Sequence, residues 1–555
     1  MTLRRSAQRQ LSSYIRGEFS ARRLLLHRPL SEVSIYRLSL HYRCMSLQRS
    51  EQSPQPGEPC LKRRKIEVIQ PPKILPYGTT MATAENPTTL ELTKIESTLR
   101  QLLLDVAAFI DGAPKSEPAT ENDGKEKTVL RFTGGWVRDK LLGVQSHDID
   151  VAINNMTGLQ FGQKMKDYLA EPSNSEKYDL PVPKETEKEN GNGKGRRLGT
   201  GLYKIEANPE KSKHLETVTT NILGLDIDLV NLRKETYSED SRNPQMEFGT
   251  PEEDALRRDA TVNAMFYNLN TCQIEDFTGC GFDDMQKKII RTPLEPYQTF
   301  KDDPLRVLRL IRFASRLQYT IDPAAEEAMS NAEIREALKI KISRERVGIE
   351  TEKMLKGPDP HLALSLIDRL GLYETVFTDP TRTMEYSPDI GHLRKGYDFV
   401  REILSDARFG FPAIRDILIK TSDDQYFAWI TAALMPWADA PLLPPPKPTG
   451  RPQYAAHLVA REGLKIPNKI SDVVATASKN VEEIRKIKDD CYIQVKYPHR
   501  KNTSEEAAAR DTLGMAIRRW GPLWKQEVLY SLIHEICSGS ISRESKYSTY
   551  WDRKH

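Results

Sequence analysis

The chain has no apolar run that approaches the roughly 18 residues of a membrane span. With 38% hydrophobic and 29% charged residues it reads as a soluble protein. Cysteine is scarce. The six present (Cys44, Cys60, Cys272, Cys280, Cys491, Cys537) are too scattered for a disulfide framework or a zinc site, so a reducing compartment is expected. A strong excess of one charge is also missing. Eighty-two basic residues against 78 acidic ones leave a net charge of +4. Any nucleic-acid binding must therefore come from local basic surfaces, not from a global field. The absence of an evident internal repeat argues against a solenoid or propeller. A chain of 555 residues exceeds one ordinary core and suggests roughly two to four domains.

Lysine is missing from the first fifty residues, which carry ten arginines, two acids (Glu18, Glu32) and interleaved leucines such as Leu24, Leu25 and Leu26. That is the composition of a mitochondrial transit peptide, not of a folded domain. A polar Ser/Pro/Gln stretch follows. The cluster Lys62-Arg63-Arg64-Lys65 then reads either as a nuclear-import signal or as a solvated charge run. Met45 follows the presequence-like part and Met81 the basic cluster. Alternative starts at Met1, Met45 and Met81 are expected to give mitochondrial, nuclear and cytoplasmic forms. Residues 1–80 would be a largely disordered targeting extension.

Residues 82 to about 111 read as a helix, with apolar Leu90, Leu92, Ile95, Leu99, Leu102 and Leu103. From 128 to about 295 strand-like and helical segments mix, interrupted at 171–200 by a polar stretch that reads as a loop. Residues 214–233 read as a β-hairpin turned at Leu223-Gly224, its second strand carrying Asp226 and Asp228 with period two. From 300 onward the pattern is predominantly helical, with LLPPPKPTG at 442–450 as the clearest linker. The expected class is α+β. A mixed β-sheet head with helices spans residues 81–295, a helical neck 296–380, and an all-helical body and tail 381–555.

The most telling segment is RFTGGWVRDKLLGVQSHDIDVAI, from Arg131 to Ile153. A buried strand over 129–132 ends in the Gly134-Gly135 turn, and a helix begins near Trp136. Free backbone N–H groups at that helix start can cradle phosphate oxygens, with Arg138 nearby. Asp148 to Ile153 alternates with period two, so Asp148 and Asp150 share one face of a strand while Ile149 and Val151 take the other. Two carboxylates that close repel each other unless a cation lies between them. An Asp-x-Asp alone is more often a solvated strand end, and a Gly-Gly alone only a turn. Together, in one strand–turn–helix–strand unit, they are the equipment for phosphoryl or nucleotidyl transfer.

Two further segments carry chemistry. EEDALRRDATVNAMFYNL (Glu252 to Leu269) reads as a helix-like run holding Arg257, Arg258, Asp259 and Asn263. Arg258 and Asn263 could hold a triphosphate and a ribose, or simply make surface ion pairs. KDDPLRVLRLIRFASRL (Lys301 to Leu317) reads as one helix with Pro304 in its first turn, where proline is tolerated. Asp303, Arg306, Arg309 and Arg312 recur in it every third residue among leucines. Burying that many arginines demands anionic partners, unless they snorkel to solvent.

The ordered set GGWVRDKLLG, DID, RRDATVNA, DDPLRVLRLIRFASR and SRERVGIETEKML resembles the class II CCA-adding tRNA nucleotidyltransferases, and most closely their fungal form. The resemblance covers about residues 90–380. It implies that residues 81–295 form a nucleotidyltransferase head which adds C, C and A to tRNA 3′ ends from CTP and ATP. By that resemblance Asp148 and Asp150 are catalytic and hold Mg²⁺, one ion acidifying the tRNA 3′ hydroxyl and a second neutralising the leaving pyrophosphate. Asp228 is either a third metal ligand or a hairpin acid facing solvent. Gly135, Arg138 and Arg258 contact the nucleotide, joined by Asp259 and Asn263. Asp303 and Arg306 read its base, with Arg309 and Arg312 along the same helix. The family's Glu-Asp-x-x-Arg is here Asp302-Asp303-Pro304-Leu305-Arg306, which leaves the reading pair intact.

The base chemistry agrees with that assignment. Cytosine and adenine both present an amino donor beside a ring-nitrogen acceptor, which a carboxylate and a guanidinium match. Guanine and uracil reverse that order and are rejected. The expected partners are tRNA, CTP and ATP, with no membrane and no obligate protein partner. Contacts to tRNA are expected to be spread over the helical half and to recognise shape. KYPHRKN (496–502) is the most suggestive basic run, and VEEIRKIKDD reads as a solvated helix face. Two rivals remain: a bacterial-type poly(A) polymerase sharing these motifs, and an inactive RNA-binding scaffold.

Overall fold

The computed structural model describes residues 89–112, 126–180, 196–198, 202–205, 217–238, 241–380, 382, 385–405, 412–444, 452–496 and 509–538. The expected targeting extension, with Met45, Met81 and the 62–65 basic cluster, lies outside the described residues. So do 181–195 and all of KYPHRKN after Lys496.

Helix α1 (Lys94–Gly112) starts at a reciprocal cap. Thr93 Oγ1 accepts from Glu96 N at 3.3 Å, and Glu96 Oε2 accepts from Thr93 N at 2.7 Å. Residues 89–93 are not helical, so α1 starts later than the expected residue 82; residues 82–88 lie outside the described residues. Leu90 and Leu92 precede it as a lead-in that packs on the core. Leu99, Leu102, Leu103, Val106 and Ile110 form its buried stripe, at the three- and four-residue spacing of one helical face.

Eight strands make one mixed sheet in the order β10-β9-β1-β2-β6-β5-β4-β3. They are β1 (Leu130–Thr133), β2 (Asp148–Ile153), β3 (Arg196–Leu198), β4 (Leu202–Ile205), β5 (Thr217–Ile222), β6 (Leu225–Asn231), β9 (Phe266–Asn268) and β10 (Gln273–Glu275), with β7 (Arg233–Ser238) and β8 (Ser241–Phe248) pairing separately. Only β2 and β6 run parallel within the large sheet; every other pairing there is antiparallel. Helix α2 (Gly135–Leu141) joins β1 to β2, and α3 (Gly158–Leu169) follows β2. The β5–β6 hairpin turns at Leu223 and Gly224, both with positive φ (56° and 80°), as the sequence leads one to expect.

The sheet has two unlike faces. Ile149, Val151, Phe132, Ile227 and Leu229 join α1, Phe161 and Met165 in the main core. On the opposite face Ala152, Leu232, Ala255, Ala264 and Phe266 form a small apolar patch. By strand alternation Asp148 and Asp150 share that second face with Ala152.

Further sequence expectations need correction. The polar stretch at 171–200 is not all loop, since it contains a short helix (Pro172–Glu176) and β3. The run 252–269 is not a helix throughout. It breaks into α4 (Pro251–Leu256), a 3₁₀ turn (Thr261–Asn263) and β9. Pairing of Phe266, Tyr267 and Asn268 with Thr133, Phe132 and Arg131 of β1 outweighs the local helical pattern, and aromatic residues suit a strand. Residues 301–317 are two helices. Lys301 and Asp302 close α6 (Pro296–Asp302), which follows α5 (Gly281–Lys287), and Pro304 caps α7 (Leu305–Leu317). Asp303 between them is extended (φ −130°, ψ 93°) because a residue before proline avoids the helical region.

Beyond α7 the described chain is predominantly helical: α8 (Arg344–Leu355), α9 (Pro360–Arg369), α10 (Leu393–Leu404), α11 (Ser422–Leu434), α12 (Asn468–Lys496), α13 (Arg510–Trp520) and α14 (Trp524–Cys537) among others. Buried Arg344 ties α8 to two later segments, its guanidinium donating to the carbonyls of Gly463 (2.5 Å), Thr375 (3.1 Å) and Val376. The VEEIRKIKDD run is only partly a solvated face. Arg485 Nη2 approaches His534 Nδ1 at 2.9 Å and Lys488 pairs with Glu535, so two of its cations face α14. Among the described residues no helix is long and apolar enough to cross a membrane.

Candidate active site

Strand β1 ends at Gly134, whose backbone (φ 72°, ψ −141°) suits glycine almost alone. A Cβ there would come 2.9 Å from Asp150 Oδ2 and 3.5 Å from Arg258 Nη1. The bare turn thus lets a carboxylate and a guanidinium close in on the same point. Parallel pairing sets Asp226 of β6 beside Asp148 and Asp228 beside Asp150. Thr219 Oγ1 donates to Asp228 Oδ1 at 2.5 Å, and Asn221 Nδ2 to Asp226 Oδ1 at 2.7 Å.

Four carboxylates on neighbouring strands make a field that disfavours further negative charge. Burial pushes the Asp150 carboxyl up to about 6; Asp228 and Asp148 add to the rise, while Arg258 opposes it. Asp148 is raised as well, by burial first and then by Asp228 and Asp226. No group of three or more His, Cys, Asp or Glu side chains among the described residues is gathered tightly enough to hold a metal by itself. Asp228, in register beside Asp150, adds its charge to the pair. The pair Asp148 and Asp150 still fits a hard divalent cation. It offers only oxygen donors, and its charge lacks a full counterweight.

The arginines around the acids are held by carboxylates of the protein. Asp254, 1% exposed, takes Arg257 Nη2 on Oδ1 (2.5 Å) and Arg258 Nη2 on Oδ2 (2.8 Å). Arg258 Nη1 also donates to Asn263 O at 3.2 Å, and its guanidinium lies 5.1 Å from the centre of the Phe266 ring. Arg138 is buried beneath the glycine turn, bonded to Asp139 Oδ1 at 2.6 Å and to the Asn263 side-chain oxygen. Burial lowers its pKa; Asp139 opposes the fall, and Arg316 and Arg312 add to it. Arg316 Nη2 reaches the other Asp139 oxygen at 3.1 Å, linking α2 to α7.

Helix α7 meets the Arg257-Arg258-Asp259 segment through two contacts. Arg306 Nη2 donates to Arg257 O at 2.8 Å, and Arg309 Nε binds Asp259 Oδ2 at 2.5 Å. Burial works against charge on Asp259, but Arg309, Arg306 and Arg312 outweigh it and hold the carboxyl below its usual range. Arg312 Nε binds Glu350 Oε2 of α8 at 2.6 Å. Asp303 Oδ1 accepts from Leu305 N at 3.2 Å, and its Oδ2 lies 3.5 Å from Arg346 Nη2. Asp303 and Arg306 are one turn apart, Arg306 N donating to Asp303 O at 3.0 Å.

Comparison with known proteins gives this arrangement a family. Residues 130–180 and 190–291 match the poly A polymerase head domain, and 318–382 match a probable RNA- and SrmB-binding site of polymerase A. The CCA tRNA nucleotidyltransferase, mitochondrial, of Candida glabrata is 40% identical over 71% of this chain and 72% of its own length. That of Saccharomyces cerevisiae is 37% identical over 80% and 77%. This chain belongs to the CCA tRNA nucleotidyltransferase family. A nucleotidyltransferase of Purpureocillium lilacinum, lcsQ, is 44% identical over 80% of this chain and 72% of its own length.

Within this family member, several residues that organise the site carried weak sequence signals. Asp254 sits three and four residues before Arg257 and Arg258, a helical ion-pair spacing that could have marked it. Asp139 adjoins Arg138 in the glycine-turn motif. Glu350 lies within the SRERVGIETEKML motif, but nothing local tied it, or Glu235, to an arginine. Their partners Arg312 and Arg257 lie 38 and 22 residues away.

Proposed function

We propose that this chain adds C, C and A in turn to tRNA 3′ ends from CTP and ATP, releasing pyrophosphate. The observation that carries the reading is the approach of Asp150, on one strand face with Asp148, to the bare Gly134 turn and Arg258. In each addition the tRNA 3′ oxygen bonds to the nucleotide's α-phosphorus while the bond to the β-phosphate oxygen breaks. Asp148 and Asp150 would hold Mg²⁺, which neutralises triphosphate charge and makes the 3′ hydroxyl easier to deprotonate. Asp228 tightens that site by its charge. Gly135 leaves room for phosphate oxygens beside the turn. Arg258 sits close enough to Asp150 to share the triphosphate, while Arg138 and Asn263 brace the turn from below. Asp303 accepts from the amino group of C or A as Arg306 donates to the ring nitrogen. Asp259 and Glu350 hold Arg309 and Arg312 so that the reading helix keeps its place.

A poly(A) polymerase reading has one observation in its favour, the head-domain match. Incubating the protein and Mg²⁺ with tRNA that lacks its 3′ end, with CTP and ATP singly and together, separates the readings. Extension by C, C, A followed by arrest is expected. A long A tail would favour the polymerase, and no extension an inactive scaffold. Arginine-rich residues 1–50 and two relatives named mitochondrial support a mitochondrial form; starts at Met45 or Met81 would supply the nuclear and cytoplasmic ones. Identical distributions of tagged Met1 and Met81 proteins would end that second idea.

A further inference from the structure

On its acid-bearing face the sheet buries a hydroxyl that no group among the described residues answers. Thr133, the last residue of β1, is 1% exposed, and its Oγ1 is shut off from solvent without a hydrogen-bond partner. A buried hydroxyl in that state is unfavourable, and a valine would fill the same space without the cost. Strand register shows what lies beside it. Thr133 is directly opposite Asp150 on β2 and Phe266 on β9. Residues opposite one another across antiparallel strands project from the same face, with Cβ atoms about 5 Å apart. Phe266 belongs to the small apolar patch and has no acceptor. Of the two side chains opposite Thr133, Asp150 alone can accept. The next residue, Gly134, already draws the chain so close that a Cβ would stand 2.9 Å from Asp150 Oδ2.

We infer that Thr133 is a positioning residue for the divalent-cation site. When a cation binds and Asp150 is ionised, the Thr133 Oγ1–H, unpartnered without the metal, turns to donate to the Asp150 carboxylate, fixes that side chain's rotamer and leaves the remaining lone pairs to the cation. The inference rests on the reading of Asp148 and Asp150 as the acids that hold the metal. A carboxylate tethered from behind meets the cation already aimed, so less freedom is lost on binding. Groups that orient a metal-holding side chain typically account for roughly 10–100-fold in metal affinity.

The test is a titration of Mn²⁺ into the full-length protein without nucleotide or tRNA, following free Mn²⁺ by electron paramagnetic resonance. Wild type is compared with Thr133→Val, Thr133→Ser and Asp150→Asn, and thermal unfolding is recorded for each. Thr133→Val is expected to weaken Mn²⁺ binding about 10-fold or more, with Thr133→Ser staying within about 3-fold of wild type. The melting temperature of Thr133→Val should hold or rise, because the unanswered hydroxyl is gone. Wild-type affinity in Thr133→Val beside poor binding by Asp150→Asn overturns the role of Thr133 alone. A Ser variant as weak as the Val variant overturns it too, since the methyl group would then be what counts. Wild-type binding by Asp150→Asn overturns the metal reading itself, and this inference with it.

Discussion

Gly134→Ala and Gly135→Ala add the same methyl group at adjacent positions and should differ sharply in their effect on stability. At Gly134 the backbone lies in a region open almost only to glycine, which costs a side-chain-bearing residue roughly 1–3 kcal/mol. The new Cβ would also stand 2.9 Å from Asp150 Oδ2, so the carboxylate must move out of its position. At roughly 2–4 °C per kcal/mol for a unit the size of this head, the backbone penalty alone lowers its melting transition by about 2–12 °C. Misplacing a metal-holding oxygen by about 1 Å can cost on the order of 100-fold in rate. At Gly135 the nearest group to the Cβ is the Arg138 guanidinium, at 3.2 Å from Nη2. That end can shift by a few tenths of an ångström, and alanine is preferred to glycine in a helix by up to about 1 kcal/mol. Gly135→Ala should therefore melt nearer wild type than Gly134→Ala yet raise KM for both CTP and ATP, since the methyl presses on Arg138, which braces the turn. The assays are differential scanning fluorimetry and single-nucleotide incorporation on a truncated tRNA. Equal melting temperatures for the two variants, or full activity in Gly134→Ala, would refute the reasoning.

Three further outcomes are expected from the same geometry. Asp303→Ala should lose selectivity for CTP and ATP over UTP and GTP more than it loses triphosphate affinity, and unchanged selectivity in competition assays would count against it. The Asp150 carboxyl, at about 6 against an ordinary 3.8, holds its proton more tightly folded than unfolded. The metal-free protein therefore gives up stability as pH rises from about 4 to about 6. A cation competes with that proton, so Mg²⁺ should raise the melting temperature more at about pH 7.5 than at about pH 5. Equal shifts at the two values would refute it. Glu350→Ala strands the largely buried Arg312, bound at 2.6 Å, and also removes an oxygen 3.8 Å from Arg309. Removing one member of such a pair costs roughly 3–5 kcal/mol; a urea unfolding loss under about 1 kcal/mol would show that the pair is not buried in effect.

Legibility along the chain tracked the range of the interactions. The alternation of Asp148 to Ile153 and the turn at Leu223-Gly224 were readable because period and turn chemistry are local. The 252–269 run misled because its fate depends on β1, more than a hundred residues earlier, which needed an antiparallel neighbour. Pro304 misled in another way. Proline is tolerated in a first turn, but here its effect on Asp303 decided the matter and split one expected helix into two. The parallel register that sets Asp228 beside Asp150 had no signature at all, since nothing local tells one strand which residue of another it will face.

The arginine row of α7 shows what remains after the local rules are used up. A largely buried helix with arginines every third residue requires anions, and that requirement was sound. It could not say which anions. Arg309 and Arg312 have theirs within the protein, in Asp259 at 2.5 Å and Glu350 at 2.6 Å, 50 and 38 residues away in sequence. A nucleotide would have to break those bonds to recruit either guanidinium, and the carboxylate left behind in a buried site would oppose the exchange. Asp303 is different. Its outer oxygen has a half-exposed arginine at 3.5 Å, a weaker hold that a base amino group can replace at little cost. Residues that the sequence places on one helix thus divide by the strength of their existing partners. Arg309 and Arg312 tie the helix to Asp259 and Glu350, while the proposed base contact falls to Asp303, whose outer oxygen has the weaker hold.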